Sequence, residues 1–322
     1  MSKTLQLKHS GLRMMMRRGK SSILTISEKC RTILASNWQG KLNTIKADSR
    51  GSKEEIYSSK VKYFVKKGKP YIWVPEKELH NVNTIIDERA SFAVSSQFPG
   101  PLAYLLKSIN KLPTRVALVG DVLRLKDEKV NLVAESLQEI LQADLSNTQE
   151  LSYSVSGILN SSSHASSSRS ENLKELLTDK EHYAVYKFDP SSCMYLDGSG
   201  RTHEVNLEDI EKCKADPLTP FSTALIDGIN QSETRRRALV LFCITFLKEH
   251  AKDAFLLSID RKGFDVLGKV LDSVGDAGSH EYRWKELRFT FKDEAHNVES
   301  FCKHLVRMEE DALKNVSEFS GI

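Results

Sequence analysis

The chain has 322 residues, 40% of them apolar and 28% charged, ordinary values for a globular protein with room for one large or two modest domains. No stretch approaches the roughly 18 uninterrupted apolar residues of a membrane helix, so no membrane span is expected. Five scattered cysteines (Cys30, Cys193, Cys213, Cys243 and Cys302) form no CxxC pair, which argues against a disulfide framework and a zinc site and for a reducing compartment. The net charge of +4 hides an asymmetry: residues 1–70 carry 17 Lys/Arg against 4 Asp/Glu, whereas the remainder, with 30 against 39, is acidic.

The first 27 residues contain no acid and place Arg13, Arg17, Arg18 and Lys20 beside a methionine run. This pattern is that of a short transit-type segment or of a solvated tail, and residues 1–24 are set apart on that ground. No aromatics interleave with these cations and no nucleic-acid module follows, so no nucleic-acid partner is expected.

A first helix is predicted over Ile26–Trp38, with Thr25 or Ser27 as its cap. Short strands follow: Leu42–Ile45, then Lys60–Val65 and Tyr71–Val74 joined by the Lys67-Gly68-Lys69-Pro70 turn. A short helix is predicted at Leu79–Asp87, a strand at Ala90–Ser95 and a further helix over 101–109. The apolar run in Arg115–Leu125 predicts a strand buried on both faces, and Asp127–Leu145 an amphipathic helix. Residues 146–180, rich in serine, offer little to bury and read as a mobile insertion. Strands Tyr183–Phe188 and Cys193–Leu196 are expected on either side of an Asp189-Pro190 turn.

From about residue 214 the pattern is that of a separate unit. A helix opens at Thr219-Pro220, and a second, Glu233–His250, is apolar nearly all round and is expected to be buried. Three strands (Ala254–Ile259, Phe264–Leu271 and Tyr282–Phe291) precede a closing helix with Val298, Phe301, Cys302, Leu305 and Val306 on one face. Strands and helices are segregated, with antiparallel β-meanders and no repeating βαβ pattern, so the class is α+β.

Catalytic signatures are missing: there is no GxGxxG after a strand, no Walker loop, no GxSxG elbow and no HExxH. His296 and His304 lie eight apart on one helix without a carboxylate at ligand spacing, so no metal site is assigned. Arg235-Arg236-Arg237 opens a helix, where cations oppose the helix dipole and an anion or acidic partner would relieve them. Lys60, Lys62 and Arg115 either flank a barrel cleft and hold a carboxylate or phosphate or form a solvated face.

The order of these elements carries a resemblance. His80-Asn81-Val82-Asn83, Asp87-Glu88-Arg89-Ala90-Ser91-Phe92, Arg115-Val116-Ala117-Leu118-Val119-Gly120-Asp121-Val122 and Tyr195-Leu196-Asp197-Gly198-Ser199-Gly200-Arg201 resemble successive motifs of the flavin-binding split-barrel superfamily. The branch they resemble is that of HugZ-like haem-utilisation proteins and their plant plastid relatives, the glutamyl-tRNA reductase-binding proteins. The resemblance implies a split-barrel domain over 25–213, with the 146–180 insertion, followed by a smaller α+β domain over 214–322. It also implies a homodimer and a chloroplast location, with the cytoplasm as the alternative. It further implies a non-catalytic role in tetrapyrrole metabolism, either binding haem or a relative of it, or regulating a biosynthetic enzyme. The alternatives are an FMN-dependent oxidoreductase of the pyridoxamine-phosphate-oxidase type and a structural interaction module.

Two departures bear on the cofactor, whose identity the sequence leaves open between haem and, less favoured, FMN. Val82 stands where the branch carries an arginine, and Ile229-Asn230-Gln231-Ser232-Glu233 lacks the histidine of a Met-Asn-x-Asp-His segment. Haem degradation is therefore not expected. The residues retained for a cofactor are Lys62, His80, Arg115, Arg201 and His203, with His203 as substitute axial ligand and the two arginines for propionates.

Overall fold

The computed structural model of the chain describes residues 23–48, 55–98, 100–149, 153–160, 169–178, 183–272 and 281–320. The first helix, α1 (Ile26–Ser36), opens on a capping box, in which Thr25 Oγ1 accepts from the Glu28 amide at 3.2 Å and Glu28 Oε2 accepts from the Thr25 amide at 2.8 Å. It ends two residues earlier than its apolar spacing predicts. Asn37 turns its side-chain amide back to the Ile33 carbonyl at 2.8 Å, satisfying a last-turn carbonyl and releasing the chain into the first strand.

The strands β1 (Gln39–Ile45), β2 (Ile56–Lys66) and β3 (Lys69–Pro75) lead to α2 (His80–Ile86) and β4 (Arg89–Ser95). Next come α3 (Gly100–Ser108), β5 (Arg115–Arg124), α4 (Asp127–Gln149), α5 (Tyr153–Asn160), α6 (Arg169–Thr178), β6 (Tyr183–Leu196) and β7 (Thr202–Val205). The antiparallel order is β3-β2-β1-β4-β5-β6-β7, and β3 also pairs with β6, closing six strands into a barrel. Leu42, Val61, Tyr63, Ile72, Phe92, Val116, Leu118 and Phe188 fill it from alternate positions. The β2–β3 hairpin turns through Lys67 and Gly68, both at positive φ (49° and 87°), as a two-residue turn matched to strand twist requires.

The structure departs from the sequence reading at two places in the wall. β5 is not buried on both faces: burial alternates along it and Val119 is half exposed, because a barrel strand has only one inner face. Asp189-Pro190 is not a turn but lies inside one continuous 14-residue strand. The register shifts there, with Val119 opposite Ser192 and Gly120 opposite Pro190, so Ser191 is the extra residue of a bulge. The bulge accepts a proline that has no N–H to give, and Gly120 faces it because a Cβ there would lie 2.1 Å from the Asp189 carbonyl oxygen.

The stretch expected as a mobile insertion supplies packed helices on either side of its serine run. Leu173 and Leu176 of α6 join Val133, Leu137 and Leu141 of α4 in a second core against the outer barrel residues Phe64, Trp73 and Val185. A few leucines at helical spacing suffice to bury one face even in a polar segment. The run 161–168 itself lies outside the described residues.

After α7 (Leu207–Lys212) and a short 3₁₀ turn at Thr219–Phe221, α8 (Ser222–Gln231) and α9 (Glu233–Leu247) precede the antiparallel meander β8 (Ala251–Asp260), β9 (Gly263–Asp272) and β10 (Glu281–Thr290), and α10 (Val298–Ser320) closes the fold. Phe242, Phe264, Phe289 and Phe301 centre this core. The expectation of an all-round buried α9 fails at its end, where Ile244, Phe246 and Leu247 are exposed, since a helix laid on a sheet buries one side. No described helix is long and apolar enough to cross a membrane.

Candidate functional site

The two sheets meet across a cleft of about 510 Å³. The barrel contributes α1 (Lys29, Ser36, Asn37), Lys111 and the turn Asp197–Arg201; the opposite wall is built by Asp216, α8, the end of β8, Asp265 and Glu286. Ion pairs hold the walls together. Lys111 reaches across to Glu286, and the Arg261 guanidinium joins Glu28 of α1, Asp216 at 3.5 Å and Glu294 at 3.2 Å. Asp216 is buried, and desolvation raises its carboxyl pKa even though Oδ2 accepts from the Arg261 amide at 2.9 Å.

The rim turn is organised by one carboxylate. Asp197 Oδ1 accepts from Ser199 Oγ at 2.6 Å, the Ser199 amide at 2.9 Å and the Arg201 amide at 3.0 Å, while Oδ2 accepts from Arg201 Nε at 3.0 Å. His203 Nε2 lies 3.3 Å from the same Oδ2, and its ring leans on Tyr195 with centroids 6.1 Å apart. Donation by the Ser199 hydroxyl, with the amides and His203 added, holds the Asp197 carboxyl well below the usual carboxylate range. Gly200 sits at φ 83°, the left-handed conformation that lets the chain reverse so tightly.

The five residues retained from the sequence divide. Arg201 lines the cleft, and His203 stands beside it through Asp197 and Tyr195. Arg115 points outward from β5, with Nε 3.2 Å from Ser95 Oγ, and Lys62 is paired with Glu175 of α6 at 2.9 Å on the outside of the barrel. His80 is completely buried: Nδ1 lies 2.8 Å from Thr44 Oγ1, Nε2 lies 3.0 Å from Ser59 Oγ, and Tyr57 meets its ring edge-on at 4.7 Å. Burial pushes its pKa down to about 4. Asn83 donates to Thr44 Oγ1 at 2.9 Å and accepts from the Ala47 amide at 3.0 Å, so this cluster pins α2 to the barrel end. Arg115, Lys62 and His80 thus lie apart from the cleft and from one another.

The arginine run that opens α9 is answered within the chain: Arg235 donates to the Gly228 carbonyl at 3.0 Å, Arg236 pairs with Asp253 and Arg237 with Glu233 at 2.5 Å. No cluster of three metal-ligating side chains occurs among the described residues. The cleft residues Lys111, Asp216, Asp265 and Glu286 carried no sequence signal, because each is an isolated charge in its own segment.

No protein-family model matches the chain, and no curated protein matches it in sequence. Solved structures do. The structure of a heme binding protein from Mycobacterium smegmatis superposes with a TM-score of 0.52 at 18% identity, over 91% of this chain and 99% of that one. ChuZ of Campylobacter jejuni (TM-score 0.36, 12% identity, 58% of this chain and 63% of that one) is also similar. So is a putative pyridoxamine 5′-phosphate oxidase from Listeria innocua (0.32, 11%, 54% and 99%). With six antiparallel strands closed by the β3–β6 pairing and a second small sheet behind them, the chain has the α+β split-barrel fold with an added C-terminal unit.

Proposed function

We propose that the chain is a non-catalytic binder of haem or a related tetrapyrrole, held in the cleft between the barrel and the second sheet. The observation that carries this reading is the pairing of His203 with Asp197 at the cleft rim. An imidazole whose Nε2–H donates to a carboxylate keeps a lone pair on Nδ1, the arrangement that orients a histidine toward a metal. Lys29 lines the same cleft and has no ion-pair partner among the described residues, which leaves it for a propionate. That a protein sharing this fold over nearly its whole length is a heme binding protein supports the choice of ligand. Bound haem would supply its iron and a planar dianion; the chain's part is to ligate, pair the propionates and exclude water. Titrating the purified chain with haem tests the reading: a Soret band that saturates at one equivalent is expected, and the ligand reading fails if the spectrum stays that of free haem or if the chain carries flavin instead.

The reading extends to assembly. The outer barrel face presents two cross-strand rows, Lys41-Ala93-Ala117-Met194 and Asn43-Ser91-Val119-Ser192, in which Val119 and Met194 are exposed. A face of mostly small side chains on which Val119 and Met194 are exposed suits a second copy, and a homodimer at micromolar concentration in light scattering is the expected result. A plastid location and control of a biosynthetic enzyme complete the proposal; both rest on the motif order, and residues 1–22 lie outside the described residues.

A further inference from the structure

The outward face of the C-terminal sheet is divided. The end toward the barrel carries Asp260, Asp265 and Glu286 and belongs to the cleft. At the other end, cross-strand partners bring Trp284, Lys269 and Asp253 into one row, with Tyr282 one step along β10 and Phe255 one step along β8. Three cations lie over three rings there. The Arg236 guanidinium is 4.1 Å from the Phe255 centroid, Lys269 Nζ 5.8 Å from Trp284 and Lys252 Nζ 5.7 Å from Tyr282. Phe255 and Trp284 lie 6.0 Å apart, and Tyr282 is 43% exposed. Beside the rings, Arg236, Arg237, Lys252 and Lys269 line a hollow of about 340 Å³.

The charge here is unbalanced toward cations. Arg236 and Arg237 are matched by Asp253 and Glu233. Lys252 and Lys269 have no ion-pair partner among the described residues, and their ammonium groups rest on ring faces instead. An anion that drew those ammoniums off would at the same time uncover the rings. A ligand that carries both an anionic backbone and flat π-faces satisfies both halves of the surface at once. A peptide of acidic residues without aromatic side chains would satisfy only the lysines.

We propose that this open end of the sheet binds a single-stranded nucleic acid, with Lys252 and Lys269 on phosphates and Trp284 and Tyr282 stacking unpaired bases. The proposal is independent of the tetrapyrrole reading and reverses the expectation drawn from sequence order. In the sequence, basic residues and aromatics do not interleave near the basic N-terminus; here they interleave in space, contributed by three different strands.

The test is fluorescence anisotropy of the full chain with labelled oligouridylate and oligodeoxythymidylate, over a range of salt. Binding that weakens steeply with salt is expected. Lys252→Glu with Lys269→Glu should lower the affinity by roughly tenfold or more, and Trp284→Ala by roughly tenfold. Heparin, which has no bases, should be insensitive to Trp284→Ala. Trp284→Leu, which keeps apolar area under Lys269, replaces the alanine variant if melting shows that the latter does not fold. No binding at low salt overturns the proposal. So does equal binding of duplex DNA, or of heparin together with indifference to both Trp284 variants, since either marks a surface for polyanions in general. A haem titration unchanged by these variants separates this result from the fate of the cleft reading.

Discussion

Two histidines occupy opposite situations in the same barrel. His80 has both ring nitrogens engaged by hydroxyls, no exposure and a pKa pushed down to about 4 by burial. His203 sits at the cleft rim, partly exposed, with one nitrogen on a carboxylate and the other uncommitted. In sequence both stand next to plausible cofactor motifs, and the residue type alone ranks them equally. The difference lies in what surrounds them: a neutral imidazole sealed among hydroxyls has both nitrogens engaged, whereas one held by a carboxylate through a single nitrogen keeps the other for the proposed metal. The Arg261 cluster belongs with His80 on the framework side, since it ties α1 to the second sheet beneath the cleft.

The largest loss of stability is expected at Arg261. Arg261→Ala leaves Glu28, Asp216 and Glu294 facing one another, with Asp216 buried, and removing one partner of such a cluster costs about 3–5 kcal/mol. Chemical denaturation should show that loss; a change below about 1 kcal/mol would mean that the walls of the cleft are held by packing alone.

Acid should find His80 next. Its folded pKa of about 4 lies below its unfolded value near 6.5, so the folded state binds fewer protons in this window. Stability is therefore full above about pH 6.5 and declines as the pH falls toward 4, by about 3 kcal/mol at most. The Asp197 carboxyl, held well below the usual range, stays ionised throughout that window and does not confuse the assignment. Denaturation midpoints measured across this range should slope downward with acid in the native chain and run flatter in His80→Gln. Equal slopes would remove His80 from the framework class.

Much of this architecture was legible in the residues. The β2–β3 hairpin follows from alternating Val61, Tyr63 and Val65 and a Lys67-Gly68 turn, and α10 from Val298, Phe301, Cys302 and Leu305 on one face. What was hidden is what depends on distant partners. The bulge at Ser191 exists because β5 and β6 wrap a closed wall, so Asp189-Pro190 read locally as a turn. The cleft draws on residues scattered from Leu24 to Glu286, and outside the Asp197–Arg201 turn its charged residues carry no local pattern. Arg201 and His203 were visible only because they flank one tight turn.

His203→Ala is the counterpart experiment to His80. The side chain is partly exposed and its loss should change stability by no more than about 0.5 kcal/mol. The Soret band of the haem-loaded chain, in contrast, should shift or vanish. An unchanged band would clear His203 and place any axial ligand elsewhere.

The smallest structural change and the sharpest discrimination come from Asp197→Asn. The amide keeps an oxygen where Oδ1 accepts from the Ser199 and Arg201 amides, so the turn survives. Its NH₂ then occupies the place of Oδ2, which faces Arg201 Nε and His203 Nε2. Toward His203 the amide is a donor, so the imidazole must accept at Nε2 and carry its proton on Nδ1 instead. That tautomer has no lone pair to offer from Nδ1. Loss of an orienting carboxylate of this kind lowers metal affinity by roughly 10–100-fold. Asp197→Asn should therefore approach His203→Ala in weakening haem while its melting curve stays close to the native one. A native-like haem affinity in Asp197→Asn would show that the carboxylate does not set the tautomer, and the distinction drawn between the two histidines would then rest on exposure alone.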